Sequence, residues 1–215
     1  MKKESKVKKI YFFRHGEGMD DVRSEYGGWS NPQLSPNGRK TASNVSKVFR
    51  NKKLEFDIIL TSPLKRALQS AEIISKRLQV PYEQFVYLKE RNTYGILGEL
   101  SKKQARKKYP DLVKAYNAQE FIPGAERYED FKNRVDLLLS KLLNLKHKSI
   151  LCVTHGYLIT TVMDEFLGLH RENIEDGCFL GLELINGKFE YLESKGLTFS
   201  KGDISYDSER YVKFK

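Results

Sequence analysis

Ser149-Ile150-Leu151-Cys152-Val153-Thr154-His155-Gly156 decides how the rest of this chain is read. Its apolar run suits a buried strand, is too short for a buried helix, and stops at a histidine and a glycine. Ile10-Tyr11-Phe12-Phe13 is a second run of the same kind and stops at Arg14-His15-Gly16. Two core strands thus end in the same His-Gly pair, with helical segments between them. Over Ser35 to Lys53, Ala42, Val45, Val48 and Phe49 recur at helical spacing behind Ser35-Pro36, an N-cap and a first-turn proline. Asp57-Ile58-Ile59-Leu60-Thr61 predicts another strand, ended by Ser62-Pro63. Leu64, Ala67, Leu68, Ala71, Ile74 and Leu78 then trace one helical stripe.

Phe85 to Leu88 predicts a weaker strand. The stretch at about 91–124 is polar and broken by Gly95, Gly98, Pro110 and Pro123, which predicts an insertion of short helical pieces lying over the sheet edge. Tyr128, Phe131, Val135, Leu139 and Leu142 mark a long helix, and Gly156 to Leu167 another. Phe179 to Ile185 is expected to pair with Phe189 to Leu192 across an Asn186-Gly187 turn. Residues 194–215 are polar with isolated aromatics and read as a tail, so a single domain is expected over 1–193. Strands alternating with helices imply an α/β sandwich with a mostly parallel central sheet.

At 215 residues the chain is long enough for a core that needs neither disulfides nor a metal. Its 40% hydrophobic and 31% charged residues exclude a disordered chain. The apolar runs are too short to span a bilayer, and the run after the Lys-rich start ends at Arg14, too soon for a signal-peptide core. With only Cys152 and Cys178, a reducing cytoplasm is the expected location. The net charge of +10 sits largely in Lys2 to Lys9, in Lys102 to Lys108 and on scattered helices. No basic run alternates with aromatics, so the excess reads as a solvated surface and not as a nucleic-acid footprint.

In an open parallel sheet, ligands bind beyond the carboxyl ends of the strands. His15 and His155 would share one crevice if their strands are neighbours. A lone turn histidine is usually structural, but two His-Gly pairs at two strand ends weaken that explanation. No His-x-x-x-His or Cys-x-x-Cys pair supplies zinc spacing, so no metal is expected, and neither a nucleophile elbow nor a Gly-rich phosphate loop is present. Two histidines beside arginines suit phosphoryl transfer, because fixed cationic donors can hold the three equatorial oxygens. Arg14 adjoins His15, and Arg66 lies in the first turn after Ser62-Pro63. Their guanidinium charges would lower the pKa of His15 and keep it a neutral nucleophile. A leaving alkoxide needs a proton, and Glu90, at the end of the weaker strand, is placed to give one.

Several motifs then occur in a fixed order. They are Arg14-His15-Gly16-Glu17, Tyr26-Gly27-Gly28-Trp29 with Leu34-Ser35-Pro36-Asn37-Gly38, and Ser62-Pro63-Leu64-Lys65-Arg66-Ala67-Leu68-Gln69. Leu88-Lys89-Glu90 with Gly95 and Gly98, Pro123-Gly124-Ala125-Glu126 and Val153-Thr154-His155-Gly156 complete the set. Together they resemble the histidine phosphatase superfamily in its phosphoglycerate mutase-like branch, over about Lys9 to Leu192. The resemblance implies a three-layer α/β/α sandwich and a metal-free, two-step reaction. In it His15 is phosphorylated, Arg14, Arg66 and His155 bind the phosphoryl oxygens, and Glu90 is first acid and then base. It further implies a substrate-binding shell of Glu17, Asp21, Gly27, Gly28, Arg91, Tyr94, Lys102 and Gly156.

Departures from the family pattern refine the expectation. Gly18 and Asp21 stand where members often carry Ser or Thr and Asn, and the Asp20-Asp21 pair points to a cationic or amide part of the substrate. The arginine pair of the glycolytic mutases has no counterpart between Pro110 and Pro123. The expected activity is therefore hydrolysis of a small phosphorylated metabolite with no cofactor, partner nucleic acid or membrane. The rival is a phosphoglycerate mutase primed by 2,3-bisphosphoglycerate, supported by Trp29, Arg91, Tyr94 and Lys102. A non-catalytic phospholigand-binding module is disfavoured because His15, Arg66, Glu90 and His155 are all intact.

Overall fold

The computed structural model describes residues 7–185 and 188–201. The Asn186-Gly187 turn, most of the Lys-rich start and residues 202–215 of the expected tail lie outside them. In chain order the elements are β1 (Lys8–Arg14), α1 (Met19–Val22), α2 (Pro36–Asn51), β2 (Ile58–Thr61), α3 (Lys65–Leu78) and β3 (Tyr82–Gln84). There follow α4 (Lys102–Lys108), α5 (Pro110–Asn117), α6 (Tyr128–Asn144), β4 (Ser149–Thr154), α7 (Gly156–Val162), β5 (Leu169–Ile185) and β6 (Lys188–Lys201). The six strands form one sheet in the order β3-β2-β4-β1-β5-β6. The first four run parallel, and β5 and β6 are antiparallel additions beside β1.

Alternation of side chains along each strand builds two cores. Ile10, Phe12, Ile150 and Cys152 face α6 and α7, where Phe131, Val135 and Leu139 cover them. Tyr11, Phe13, Leu151 and Val153 face α2 and α3, where Phe49, Ala67, Ala71 and Ile74 cover them. Both faces of the central strands are thus buried, which is why their sequences read as continuous apolar runs. At the base of β1, Lys8 Nζ donates to the carbonyls of Leu142, Leu143 and Leu145 at 2.8, 2.9 and 2.6 Å. These are orphan carbonyls at the end of α6, which a cation satisfies in both charge and hydrogen bonding. Among the described residues no helix is long and apolar enough to cross a membrane.

The structure differs from the sequence expectation in three places. The strand expected at Phe85 to Leu88 lies earlier, at Tyr82–Gln84; Val86–Leu88 is a 3₁₀ turn that buries Leu88. As an edge strand with exposed side chains, β3 has no apolar signature to read. The inserted segment does not lie over the sheet edge. It builds a small core from Leu97, Ala105, Val113 and Ile122 around Tyr26 of the loop after β1. Tyr26 N to Leu100 O and Lys102 N to Ser24 O hydrogen bonds, 2.9 and 3.0 Å, tie the two segments together. Finally, Ser194 does not begin a tail, because β6 continues to Lys201 and pairs with β5 as far as Leu169. Ile174, Leu197 and Phe199 are half-buried against the core there, but they stand isolated among polar residues, which hid the pairing.

The loop that leaves β1 is fixed by backbone contact. A Cβ on Gly16 would lie 2.3 Å from the Gly38 carbonyl oxygen, and one on Gly38 would lie 2.2 Å from the Glu17 carbonyl oxygen. Helix propensity alone makes Gly38→Ala stabilising by about 1 kcal/mol. Contact with Glu17 reverses the sign, so urea unfolding of Gly38→Ala should show a loss of about 1–3 kcal/mol.

Candidate active site

Parallel pairing sets Arg14 opposite Thr154. The His15 amide donates to the Thr154 carbonyl at 3.0 Å, and the His15 and His155 rings lie 4.8 Å apart, edge to face. Both are buried, at 5% and 0% exposure. His15 Nδ1 is 2.6 Å from the Gly16 carbonyl, and His15 Nε2 is 3.0 Å from Arg66 Nε. A guanidinium nitrogen only donates, so Nε2 is the acceptor and Nδ1 carries the proton. Burial first, then the charges of Arg66 and Arg14, hold the His15 pKa well below its usual value. The same causes, with burial again foremost, keep His155 neutral. His155 Nε2 meets the Ser62 hydroxyl at 2.8 Å, while its Nδ1 is buried with no hydrogen-bond partner among the described residues.

Arg66, in the first turn of α3 and 3% exposed, also donates to the carbonyls of Ser30 and Gly28, each at 2.8 Å. Arg14 is held by Ile174 O at 3.0 Å and by Asp176 Oδ1 at 2.8 Å. Glu90 follows the 3₁₀ turn and extends toward α7, its Oε1 accepting from Arg91 N at 2.9 Å and its Oε2 from Tyr157 N at 3.4 Å. Burial raises its pKa, against the opposing pull of those amides and of Arg66 and Arg14.

The position of Glu90 depends on a neighbour with no signal of its own in the sequence. Arg134 of α6 donates to the carbonyls of Tyr87, Lys89 and Glu90 at 2.9, 2.9 and 3.1 Å. A bidentate pair with Glu126, 2.9 Å at each oxygen, fixes that guanidinium. The Pro123-Gly124-Ala125-Glu126 motif therefore acts through Arg134 on Glu90. Trp29 Nε1 also donates to Glu90 O at 2.7 Å, with Lys89 Nζ 3.5 Å above its ring.

Arg14, His15, Arg66, Glu90, Arg91 and Gly156 line one crevice, as do Asp21, Gly27, Gly28 and Tyr94. His155, 0% exposed, does not itself line the crevice, and two residues of the expected shell are not brought there. Glu17 turns to α2, where its carboxylate accepts the Ser35 hydroxyl, which itself caps Gly38 N at 2.9 Å. Lys102 lines neighbouring depressions with Ser24 and Arg106, because the insertion is anchored on residues 24–26. Asp20 and Asp21 do not form a free acidic pair. Asp20 is 5% exposed and wedged against Gly18 and Gly27, where a Cβ would come within 2.1 and 2.6 Å of its oxygens. Burial raises its pKa while Arg66 lowers it. Asp21 Oδ2 accepts from Gly18 N at 3.0 Å. Gly156 has no close contact that demands a glycine, its added Cβ meeting Arg14 Nε at an ordinary 3.6 Å. Sequence reasoning missed Arg171 and Ile174, which reach the crevice from β5, and Thr93 and Tyr157. Among the described residues no group of three or more His, Cys, Asp and Glu side chains could hold a metal ion.

Comparison with known proteins identifies the family of the chain. The chain is 30% identical over 218 residues to a 2,3-bisphosphoglycerate-dependent phosphoglycerate mutase of Buchnera aphidicola subsp. Cinara cedri (strain Cc), covering 85% of this chain and 92% of the other. It is 29% identical over 185 residues to a protein named uncharacterized phosphatase PhoE of Bacillus subtilis (strain 168), covering 84% and 90% of the two chains. The fold is shared with the alpha-ribazole phosphatase of Shigella flexneri at a TM-score of 0.73 and 20% identity, covering 90% of this chain and 96% of that one. Residues 10–190 match the profile of the histidine phosphatase superfamily (branch 1). A pair of strand-end histidines, flanked by two arginines and a half-buried carboxyl group, sits within that match, and the chain belongs to the histidine phosphatase superfamily.

Proposed function

We propose that this protein is a metal-independent phosphomonoesterase that works through a phosphohistidine. The carrying observation is the tautomer of His15: its proton is on Nδ1, against the Gly16 carbonyl, and its Nε2 lone pair faces Arg66. Nε2 forms the N–P bond as the ester P–O bond breaks, and the Glu90 carboxyl gives its proton to the departing alkoxide. Water then attacks phosphorus, Glu90 takes its proton, and the N–P bond breaks to release phosphate. Arg14, Arg66 and the Nδ1 side of His155 meet the phosphoryl charge that a metal would otherwise carry.

The substrate in this reading is a small phosphorylated metabolite, with no nucleic-acid partner. A cytoplasmic location belongs to it too, supported by Cys152 and Cys178, both free and buried. Water is favoured over a sugar-acid acceptor because the stretch from Pro110 to Pro123 supplies no arginine. The mutase reading is supported by the similarity to the Buchnera enzyme. Phosphorus NMR with 3-phosphoglycerate and a trace of 2,3-bisphosphoglycerate separates the two. Release of inorganic phosphate is expected; clean conversion to 2-phosphoglycerate would make the protein a mutase.

Replacing the nucleophile, His15→Ala, should abolish turnover and acid-labile phosphorylation, and a fully active variant would overturn the mechanism. Glu90→Gln should lower kcat/KM, which reports phosphorylation of His15 and not the later attack of water, by about 10²–10⁴-fold for alkyl phosphates and spare it for 4-nitrophenyl phosphate, whose leaving group needs no proton. Equal slowing of both esters would remove Glu90 as the acid. The raised Glu90 pKa keeps its carboxyl protonated to higher pH than usual, and the depressed His15 pKa keeps its imidazole neutral to lower pH. For alkyl phosphates kcat/KM should therefore fall as pH rises through the Glu90 pKa, and Glu90→Gln should lose that limb. Activity should also persist in excess EDTA.

A further inference from the structure

The crevice at His15 has a volume of about 210 Å³, room for a phosphoryl group and the first atoms of the group it is esterified to. Beyond it opens a chamber of about 950 Å³, and Arg91, Thr93 and Tyr157 wall both. That size is at the upper end of the range for small-molecule sites. The chamber is aromatic: Phe121, Tyr128 and Tyr157 line it and are 56%, 36% and 41% exposed. Large rings left exposed together mark a binding surface. Arginine guanidinium groups already stack on them, Arg91 at 5.1 Å from the Tyr128 centroid and 5.8 Å from that of Tyr157, and Arg127 at 5.5 Å from that of Phe121. A hydrogen bond of 2.9 Å from the Tyr128 hydroxyl to Glu165 fixes one ring. At the junction, Arg91 Nε and Thr93 Oγ1 are buried with no hydrogen-bond partner among the described residues. Leaving such groups unmatched is costly, so acceptors of a ligand belong beside them.

We infer that this chamber receives the alcohol half of the substrate, a monoester whose phosphate is joined through a hydroxylated linker to a planar ring, the chemistry of a nucleoside 5′-monophosphate. The phosphate sits by His15, linker oxygens meet Arg91 Nε and Thr93 Oγ1, and the ring lies against Phe121, Tyr128 and Tyr157. A three-carbon acid would leave the aromatic wall in water. The inference rests on the phosphomonoesterase reading and adds its substrate class.

Ribose 5-phosphate and the four common ribonucleoside 5′-monophosphates share the same leaving 5′-hydroxyl, so the ratio of their kcat/KM values reports the ring and not Glu90. Phosphate release should favour at least one nucleotide by roughly tenfold or more, as expected for one base stacked on aromatic side chains. Phe121→Ala and Tyr128→Ala should each bring that ratio toward one. The inference is overturned if no nucleotide exceeds ribose 5-phosphate, or if the preference survives both substitutions. If no compound releases phosphate, the phosphomonoesterase reading fails and equilibrium dialysis of the four nucleosides decides the chamber. Saturable millimolar or tighter binding that Phe121→Ala weakens supports it; absence of binding overturns it.

Discussion

Everything at this site depends on the parallel pairing of β1 with β4 in the register that sets Arg14 opposite Thr154. One residue beyond that pair, the chain turns out of the sheet on both strands, and the two imidazoles meet edge to face. Six consecutive residue pairs hold the register, and the inner four, Ile10 to Phe13 against Ile150 to Val153, are buried on both faces. A slip by one residue would exchange the two cores and separate the histidines. The packing that stabilises the sheet therefore also positions the nucleophile.

The inserted segment has a second, less obvious part in the same arrangement. Just past its end lies Glu126, which fixes Arg134, which in turn gathers three carbonyls around Glu90. An acid held half-buried at a loop needs such support, because a loop by itself does not fix a side chain's direction. The insertion also supplies Phe121 and Tyr116 to the chamber beyond the phosphate crevice. Chemistry and leaving-group space thus come from one covering structure anchored at Tyr26.

Charge at the site is balanced over short distances. Arg66 is almost wholly buried, which burial alone disfavours, and Asp20, Glu90 and Asp21 oppose that cost. The enclosed Asp20 thus serves as a counter-charge to Arg66 while, with Asp21, it also lines the crevice. Arg14 has a similar partner in Asp176, contributed by the irregular stretch of β5 between Ile174 and Phe179.

Several features were legible from the sequence by itself. The buried strands at Ile10 and Ser149, the helix capped by Ser35-Pro36 and the adjacency of Arg14 and His15 are local patterns of period, cap and composition. These carry their own signature because each follows from neighbours within a few residues. Tertiary structure alone decided the rest. The polar strand β3, the extended hairpin arms to Lys201 and the diversion of Glu17 and Lys102 from the crevice leave no periodic trace. Arg134 and Asp176 lie 44 and 162 residues along the chain from Glu90 and Arg14, the groups they hold. Contacts at that separation are set by how the layers pack, and sequence spacing does not encode them.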